Sequence, residues 1–213
     1  MAEQSISKQT LMRLPLYLNY LKTHASGEKN ISATQIAAAL GLNQVQVRKD
    51  LAAVTAGGRP KTGYVTDELI RGIAQFLGYD ALNRAVIVGA GRLGRALLGY
   101  DGFSGYGLEI VAAFDSNPQM TGEDGKTILP MEKLPGLCKR MGVKIGIITV
   151  PAAAAQTVCD VLIESGIRAI WNFAPVHLNV PAHVLVQNEN MAASLAVLGK
   201  HLSEMATRGE ITF

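Results

Sequence analysis

The segment VIVGAGRLGRAL, from Val86 to Leu97, decides the fold of this chain. Three β-branched residues lead into a glycine-rich turn, and residues that favour a helix follow it. This is the G-x-G-x-x-G pattern of a strand–turn–helix unit. The first glycine, Gly89, permits the tight turn, Gly91 lets a pyrophosphate approach the backbone, and Gly94 lets the helix pack against the strand. The other residues assigned to this phosphate-binding turn are Ala90, Arg92 and Leu93.

An acidic residue follows the next predicted strand, which spans residues 108–114. Asp115 lies 21 residues beyond Gly94, where a dinucleotide site needs a carboxylate to accept hydrogen bonds from the adenosine ribose. The same charge repels a 2′-phosphate, so NAD(H) is favoured over NADP(H). A carboxylate at this place can also simply cap a loop, but strand, glycines, helix, strand and acid together indicate a nucleotide site.

Short apolar segments alternate with helical segments from residue 85 to residue 186, which predicts a doubly wound parallel sheet of the Rossmann type. Ligands of such sheets bind at the carboxyl ends of the strands. Three further residues follow predicted strands at 144–150 and 169–173 and are assigned to the crevice: Thr149, Pro151 and Asn172. Residues 189–207 predict a closing helix.

The composition is that of a folded protein, with 48% hydrophobic and 17% charged residues in a chain of 213. Two separate cysteines, Cys138 and Cys159, suggest neither a disulfide framework nor a metal site, so we expect no metal. No apolar run reaches the roughly 18 residues of a membrane span, and the polar segment over residues 1–10 lacks the apolar core of a signal peptide. We expect a soluble cytoplasmic protein without a membrane partner.

Charge is unevenly distributed along the chain. Residues 1–80 carry nine basic and six acidic residues, which accounts for the whole net charge of +3, whereas residues 81–213 are balanced. Such a small excess is usually a solvated face and is weak support for a nucleic-acid partner by itself.

The first 80 residues predict a helix-turn-helix. A helix over 6–25 contains Pro15, which marks either a kink or the true start. Ser32 and Gln35 form a capping box, Gly41 ends that second helix, and Asn43 caps a third helix over 44–53. Helix pairs of this layout also occur in proteins that do not bind DNA.

The residue types of the third helix favour binding to DNA. Its long polar and cationic side chains suit base edges and phosphates, while Val45, Val47 and Leu51 are expected to face the core. Residues 55–64 predict an exposed basic hairpin, or wing, before a helix over 66–77 capped by Thr66. The predicted DNA-binding residues are Gln44, Gln46, Arg48, Lys49, Arg59 and Lys61.

The sequence contains no recognisable set of catalytic residues. A dehydrogenase needs an acid–base group and usually a second domain for its substrate, and only His177 lies near the predicted crevice. We therefore expect no enzyme and no catalytic residue. Two alternatives remain: a small NAD-dependent oxidoreductase whose N-terminal helices mediate association, and a coenzyme A-binding module, against which Asp115 argues.

Four segments together resemble the bacterial redox-sensing transcriptional repressor family Rex. They are QVRKDL at 46–51, GAGRLGRAL at 89–97 with Tyr100 after it, TVPA at 149–152 and NFAPVHLNVP at 172–181. The resemblance covers residues 6–207. It implies a winged-helix domain over 1–80, an NAD(H)-binding Rossmann domain over 81–188, and a dimerisation helix and tail over 189–213 that swaps to the partner.

The resemblance also implies a homodimer that binds a palindromic operator and leaves it when NADH binds, with NAD+ competing. Arg48 and Lys49 would contact the operator, and Tyr100 would lie near the nicotinamide. Residues 52–55 and the wing depart from the family pattern, so operator preference is expected to differ. Asn19 and Asn190 stand where some members have a charged pair that contacts the matching tyrosine, which predicts a weaker switching contact.

Overall fold

The computed structural model describes residues 6–25, 27–60, 62–118 and 128–211. The chain forms two compact units, one of Met1–Leu82 with Gly105–Gly107 and the other of Asn83–Ser104 with Leu108–Phe213. Each unit is described by itself below.

The first unit packs four helices beside a two-stranded antiparallel sheet. The helices are α1 (Lys8–His24), α2 (Ala33–Leu40), α3 (Gln44–Val54) and α4 (Thr66–Phe76), and the strands are β1 (Asn30–Ile31) and β2 (Tyr64–Val65). Side chains from all four helices fill one core, which includes Leu14, Leu18, Leu21, Ile36, Val47, Leu51, Leu69 and Ile73. Burial of these apolar surfaces is the main force that holds the short helices together.

Local signals place the helix-turn-helix where the sequence predicts it. Ser32 and Gln35 form the reciprocal capping box at the start of α2, and Gly41 ends this helix in the left-handed conformation at φ 64°. The side chain of Asn43 accepts hydrogen bonds from the first backbone N–H groups of α3. Pro15 lies inside a helix that continues through it, so the alternative that Pro15 starts α1 is wrong.

Two expectations for this unit are wrong. Val45 is 51% exposed, so the core face of α3 is formed by Val47, Asp50 and Leu51 instead. Thr66 does not cap α4, because Val65 occupies the cap position and no side chain bonds to the first turn. The Thr66 hydroxyl is buried and has no hydrogen-bond partner among the described residues.

Replacing Thr66 with valine is expected to stabilise the first unit by about 1 kcal/mol, because the unpaired hydroxyl loses its desolvation cost while the shape is kept. Native-state hydrogen exchange of the α4 amides measures this local free energy of unfolding. Thr66→Ser is the control, since it keeps the hydroxyl and loses a buried methyl group, and it should destabilise. A valine variant less stable than the parent would contradict the prediction.

The second unit contains a six-stranded parallel sheet in the order β5-β4-β3-β6-β7-β8. The strands are β3 (Asn83–Val88), β4 (Leu108–Asp115), β5 (Ile128–Pro130), β6 (Ile145–Ile148), β7 (Ala169–Asn172) and β8 (Leu185–Asn188). The helices are α5 (Arg92–Leu98), α6 (Leu134–Met141), α7 (Ala152–Glu164) and α8 (Met191–Thr207). This order reverses between β3 and β6, which creates a crevice at the carboxyl ends of the strands.

Apolar side chains cover both faces of this sheet, as a doubly wound fold requires. Val86 and Val88 contribute to one core, whereas Ala85 and Ile87 contribute to the other, because successive side chains point to opposite faces. The predicted doubly wound sheet is confirmed. The helix predicted to run to about Tyr100 ends at Leu98, and a 3-10 helix over Asp101–Tyr106, which the sequence analysis missed, follows it.

The described residues bear on two expected absences, of a membrane partner and of a metal ion. None of their helices is both long enough and apolar enough to cross a membrane. Within the same residues, no three histidine, cysteine or acidic side chains come together in a group that could hold a metal ion. The cysteines Cys138 and Cys159 are free thiols inside the core.

Candidate nucleotide and nucleic-acid sites

The three glycines of the turn differ in what an added Cβ atom would meet. Gly89 has φ 104°, and a Cβ there would lie 2.9 Å from the carbonyl carbon of Thr149. A Cβ on Gly94 would overlap the carbonyl oxygen of Gly89. Gly91 has extended backbone, and a Cβ on it would meet nothing within 4 Å. Two glycines therefore permit the fold, and Gly91 alone leaves open space in front of the backbone.

Thr149 supports the turn from the neighbouring strand. Its hydroxyl is 2.7 Å from the carbonyl oxygen of Gly89 and 3.2 Å from that of Val88, and it donates to these acceptors. Arg95 also supports the turn, because its Nε donates to the carbonyl oxygen of Ala90 at 2.8 Å. The side chain of Thr149 therefore shapes the turn, which is a different role from the direct cofactor contact that the sequence predicts.

Asp115 faces the glycine turn from the end of β4. Its Oδ2 accepts a hydrogen bond from the backbone N–H of Ala90 at 2.6 Å, and its Oδ1 accepts one from the N–H of Asn117 at 2.9 Å. Burial raises the pKa of this carboxyl, but the N–H donors of Asn117 and Ala90 outweigh burial and hold the pKa below its ordinary value. Asp115 is therefore a carboxylate at neutral pH with acceptor capacity left for a ligand.

A cavity of about 450 Å³ joins these groups. Its lining includes four residues predicted from the sequence, which are Ala90, Gly91, Arg92 and Asp115. It also includes two residues that were not predicted, Arg95 and Asn117. Cationic side chains and an open backbone beside a carboxylate match the pyrophosphate and ribose of a dinucleotide. The residues present therefore fit NAD(H). Arg95 lies one helical turn beyond Arg92, and that spacing is a signal that could have identified it.

Asn172, which was predicted to contact the cofactor, is held by hydrogen bonds inside its own unit, and its contact with a cofactor stays a prediction. Its side chain is fully buried, and its Nδ2 donates to the carbonyl oxygens of Ala174 and Val176 and to Oδ1 of Asn188. Its Oδ1 accepts from the N–H of Ala174. These bonds use both amide hydrogens and one acceptor position of Oδ1, so Asn172 shapes the loop that follows β7. Strand-end position alone does not distinguish a ligand from such a buried support.

Tyr100 lies at the start of a row of aromatic rings. Its ring is 53% exposed and contacts Phe103 at a centroid distance of 4.9 Å, and Phe103 contacts Trp171 at 6.0 Å. The indole N–H of Trp171 donates to Glu189 at 2.8 Å. Its exposure leaves Tyr100 available for the predicted role beside the nicotinamide.

Asn190 and His177 lie on a separate cavity of about 540 Å³ at the ends of β7 and β8. The side chain of Asn190 accepts from the N–H of Ala193 and caps α8. The predicted loss of a charged switching contact at Asn19 and Asn190 stays a prediction. Pro151 is exposed at the cap of α7, and Leu93 is 37% exposed.

Removing the carboxylate of Asp115 is expected to weaken NADH binding tenfold to a hundredfold, since a hydrogen bond to a charged group contributes about 1.5–3 kcal/mol. Asp115→Asn keeps the size of the side chain and removes the charge that repels a 2′-phosphate, so its preference for NADH over NADPH should fall. Isothermal titration of both nucleotides against parent and variant measures the two effects. An unchanged preference would contradict this role of Asp115.

The helix α3 carries four of the polar residues predicted to contact DNA. Gln44, Gln46, Arg48 and Lys49 are all exposed. A cavity of about 560 Å³ lies in the same unit as α3, and Arg48 and Arg59 line it together with residues at the start of α2 and Tyr64. Backbone hydrogen bonds between Arg59 and Gly63 close the wing. Lys61 lies outside the described residues.

A buried carboxylate joins α3 to α1. Asp50 Oδ2 accepts from Arg13 Nε at 2.7 Å and from the Tyr17 hydroxyl at 2.8 Å. Its Oδ1 accepts from Arg13 Nη2 at 3.0 Å, from the Thr10 hydroxyl at 3.1 Å and from Gln46 Nε2 at 2.9 Å. We call these five residues the Asp50 cluster. This cluster was not predicted, although Asp50 lies three residues after the buried Val47 and is the one acid among four basic residues over 44–64.

The charges of the Asp50 cluster depend on one another. Burial raises the pKa of Asp50, but hydrogen bonds from Arg13, Tyr17, Gln46 and Thr10 outweigh burial and lower it. Burial and the bond to Asp50 raise the pKa of Tyr17 to about 12. The cluster therefore holds an ionised carboxylate at neutral pH, almost entirely shielded from water.

The chain combines a helix-turn-helix unit, in which α3 carries exposed cations, with a doubly wound unit that has a dinucleotide cavity. This combination defines a class of protein, the DNA-binding regulator that responds to a nucleotide. Two family models match the chain: one described as a CoA binding domain over residues 80–176, and one described as a putative DNA-binding protein N-terminus over residues 5–52.

Similar proteins narrow the class to a family. The redox-sensing transcriptional repressor Rex of Porphyromonas gingivalis is 41% identical over 206 residues, which are 95% of this chain and 94% of that protein. The crystal structure of RSP in complex with β-NAD+ and operator DNA matches with a TM-score of 0.86 at 31% identity, over 96% of each chain. RSP in complex with β-NADH matches with a TM-score of 0.85 at 30% identity, over 98% of this chain and 100% of that chain.

The chain belongs to the Rex family of redox-sensing transcriptional repressors. Membership confirms the predicted resemblance and the predicted fold class of an N-terminal DNA-binding unit followed by a Rossmann-like unit. It also confirms that the chain is a regulator and not an enzyme, because its relatives are named as repressors.

Proposed function

We propose that this chain represses transcription by binding a palindromic operator and leaves the operator when NADH occupies the cavity at Gly91 and Asp115. The observation that carries the proposal is the combination, in one chain, of this cavity with the exposed cations Arg48 and Lys49 on α3. The bound nucleotide acts as a signal and is not consumed. NAD+ competes for the same cavity, so the protein responds to the ratio of NADH to NAD+.

Support for each half of the proposal comes from different contacts. The open space at Gly91 and the ionised Asp115 suit the pyrophosphate and the ribose of either redox form. The long side chains of α3 suit base edges, and Arg59 in the wing suits the DNA backbone or minor groove. RSP, a relative, has been crystallised with β-NAD+ and operator DNA and also with β-NADH.

Fluorescence anisotropy of a labelled palindromic duplex tests this function. We expect the parent to bind at low salt, NADH to release the duplex, and NAD+ in the same concentration to leave it bound. NADPH is the matched control, since Asp115 disfavours its 2′-phosphate, and it should release little DNA. Failure to bind any promoter duplex at low salt, where phosphate contacts are strongest, would refute the proposal.

The helix α8 supports a homodimer. None of its 17 residues is buried in the single chain. An apolar stripe along it consists of residues spaced alternately four and three apart, and its members are Met191, Leu195, Leu198, Leu202 and Met205. That spacing is the repeat of helices that pack against a partner helix. We propose that a second copy of the chain covers this stripe, because a palindromic operator matches a two-fold symmetric protein.

Leu198→Glu is expected to convert the dimer to a monomer, because it places a charge in the middle of the apolar stripe. Lys200→Glu is the matched control: it adds the same side chain on the opposite face of α8, and it should leave the dimer intact. Size-exclusion chromatography with light scattering measures both masses. A dimer that survives Leu198→Glu but not Lys200→Glu would place the interface elsewhere.

A further inference from the structure

The Asp50 cluster fixes the orientation of one predicted DNA-reading side chain, Gln46. The amide of a glutamine can turn either its oxygen or its nitrogen toward a neighbour. An ionised carboxylate only accepts hydrogen bonds, so the group of Gln46 that faces Asp50 Oδ1 at 2.9 Å must be the nitrogen. The two bonds from Arg13 to the same carboxylate keep it ionised. Turning the amide over would place two acceptor oxygens against each other.

The fixed nitrogen leaves the oxygen of Gln46 for an outside partner. Gln46 is exposed on α3, and among the described residues its Oε1 receives no hydrogen bond. One of its two amide hydrogens is already used by Asp50. A free glutamine can present either its oxygen or its nitrogen to a base edge, whereas the bond to Asp50 fixes the side of Gln46 on which the oxygen lies and leaves one amide hydrogen without a partner among the described residues.

Gln44, two residues earlier, shows that this restriction is specific to Gln46. Its Oε1 is 3.2 Å from the hydroxyl of Thr34. A hydroxyl both donates and accepts, so Thr34 would tolerate either orientation of the Gln44 amide. Gln44 is also exposed on the same helix and therefore provides a matched control.

Building on the proposed binding of operator DNA, we propose that Gln46 is a specificity-determining residue that acts as a hydrogen-bond acceptor in the major groove. Its Oε1 accepts from the exocyclic amine of an adenine or a cytosine. Guanine and thymine present acceptor oxygens at the corresponding place in the groove, so they are disfavoured at the base directly opposite Oε1. Asp50 acts through Gln46 as a positioning residue, since it touches no DNA and determines which atom of the amide faces the base.

The test begins with the operator that the parent chain selects from a pool of random duplexes. Each adenine or cytosine of that operator is then replaced, one at a time, by an analogue without the exocyclic amine, purine for adenine and 2-pyrimidinone for cytosine. We expect one position in each half-site at which the parent loses about tenfold in affinity, the size of a single base contact. At that position Gln46→Met should show no loss, whereas Gln44→Met should lose as much as the parent.

Asp50→Asn tests the positioning separately, because an asparagine can donate as well as accept and no longer dictates the orientation of Gln46. We expect its discrimination of adenine or cytosine from guanine and thymine at that position to fall severalfold. Gln46→Met changes an exposed side chain, so the main test does not depend on the folding of the Asp50 variant.

The outcomes separate this inference from the function on which it rests. A parent that selects no duplex refutes operator binding and this inference with it. In a second outcome, the parent binds its operator while every loss caused by removal of an amine persists in Gln46→Met. That outcome overturns the role of Gln46 and leaves the repressor function standing. Coupling of Gln46 to a guanine or a thymine of the operator also overturns the role of Gln46 as an acceptor.

Discussion

Gly91→Val is expected to weaken NADH binding by a hundredfold or more without lowering the thermal stability of the protein. The side chain would project from extended backbone, at φ −69° and ψ −169°, into space that the protein leaves empty. The fold therefore tolerates it, but a pyrophosphate can no longer approach the backbone. Nucleotide titration gives the affinity, thermal unfolding gives the stability, and duplex binding should become insensitive to NADH.

Gly94→Ala is the matched control for Gly91→Val in the stability measurement, because it adds a smaller side chain to the same turn and yet is expected to lower the stability of the protein. Its Cβ would overlap the carbonyl oxygen of Gly89 and lie 2.9 Å from the Thr149 hydroxyl, so the turn must deform at a cost of about 1–3 kcal/mol. Two outcomes would show that the pyrophosphate does not bind in the space at Gly91. Either Gly91→Val lowers stability as much as Gly94→Ala does, or Gly91→Val leaves the affinity for NADH unchanged.

The glycine turn also shows how far sequence reasoning reaches. Its residues are adjacent in the chain, and their roles follow from local geometry, so the strand, the turn and the parallel sheet were all predictable. The capping residues Ser32 and Asn43 were predictable for the same reason. The separate roles of the three glycines were predictable too, but the contacts that Gly89 and Gly94 make with Thr149 were not, because Thr149 lies 60 residues away from Gly89.

Side chains that bond across the fold escaped prediction for a physical reason. Arg13 and Asp50 are 37 residues apart, and nothing near either residue indicates that they meet. Asn172 was expected at the ligand because strand ends line the crevice, but its amide is used by backbone carbonyls that only the folded loop brings near. Periodicity identifies which face a residue occupies and does not identify its partner.

Asp50→Ala is expected to destabilise the first unit by about 3–5 kcal/mol, because it leaves the guanidinium of Arg13 and the hydroxyl of Tyr17 partly buried without their acceptor. Hydrogen exchange of the α1 and α3 amides measures the loss in this unit alone. Glu109→Ala is the control, since it breaks the exposed ion pair with Arg84, and it should change the stability of its own unit by less than about 1 kcal/mol.

The stability that Asp50 provides should also depend on pH in a definite direction. Its folded pKa is lower than that of an unfolded aspartate, about 3.9, so its contribution is complete above that value and is lost as the pH falls through the folded pKa. We therefore expect the exchange-derived stability of α1 and α3 to fall below about pH 4 in the parent and to vary less in Asp50→Asn. An equal fall in both proteins would contradict this assignment. Because Asp50 lies on the inner face of α3, the same acid pH that releases Arg13 and Tyr17 should also reduce operator affinity, through the loosened helix and not through the exposed cations Arg48 and Lys49.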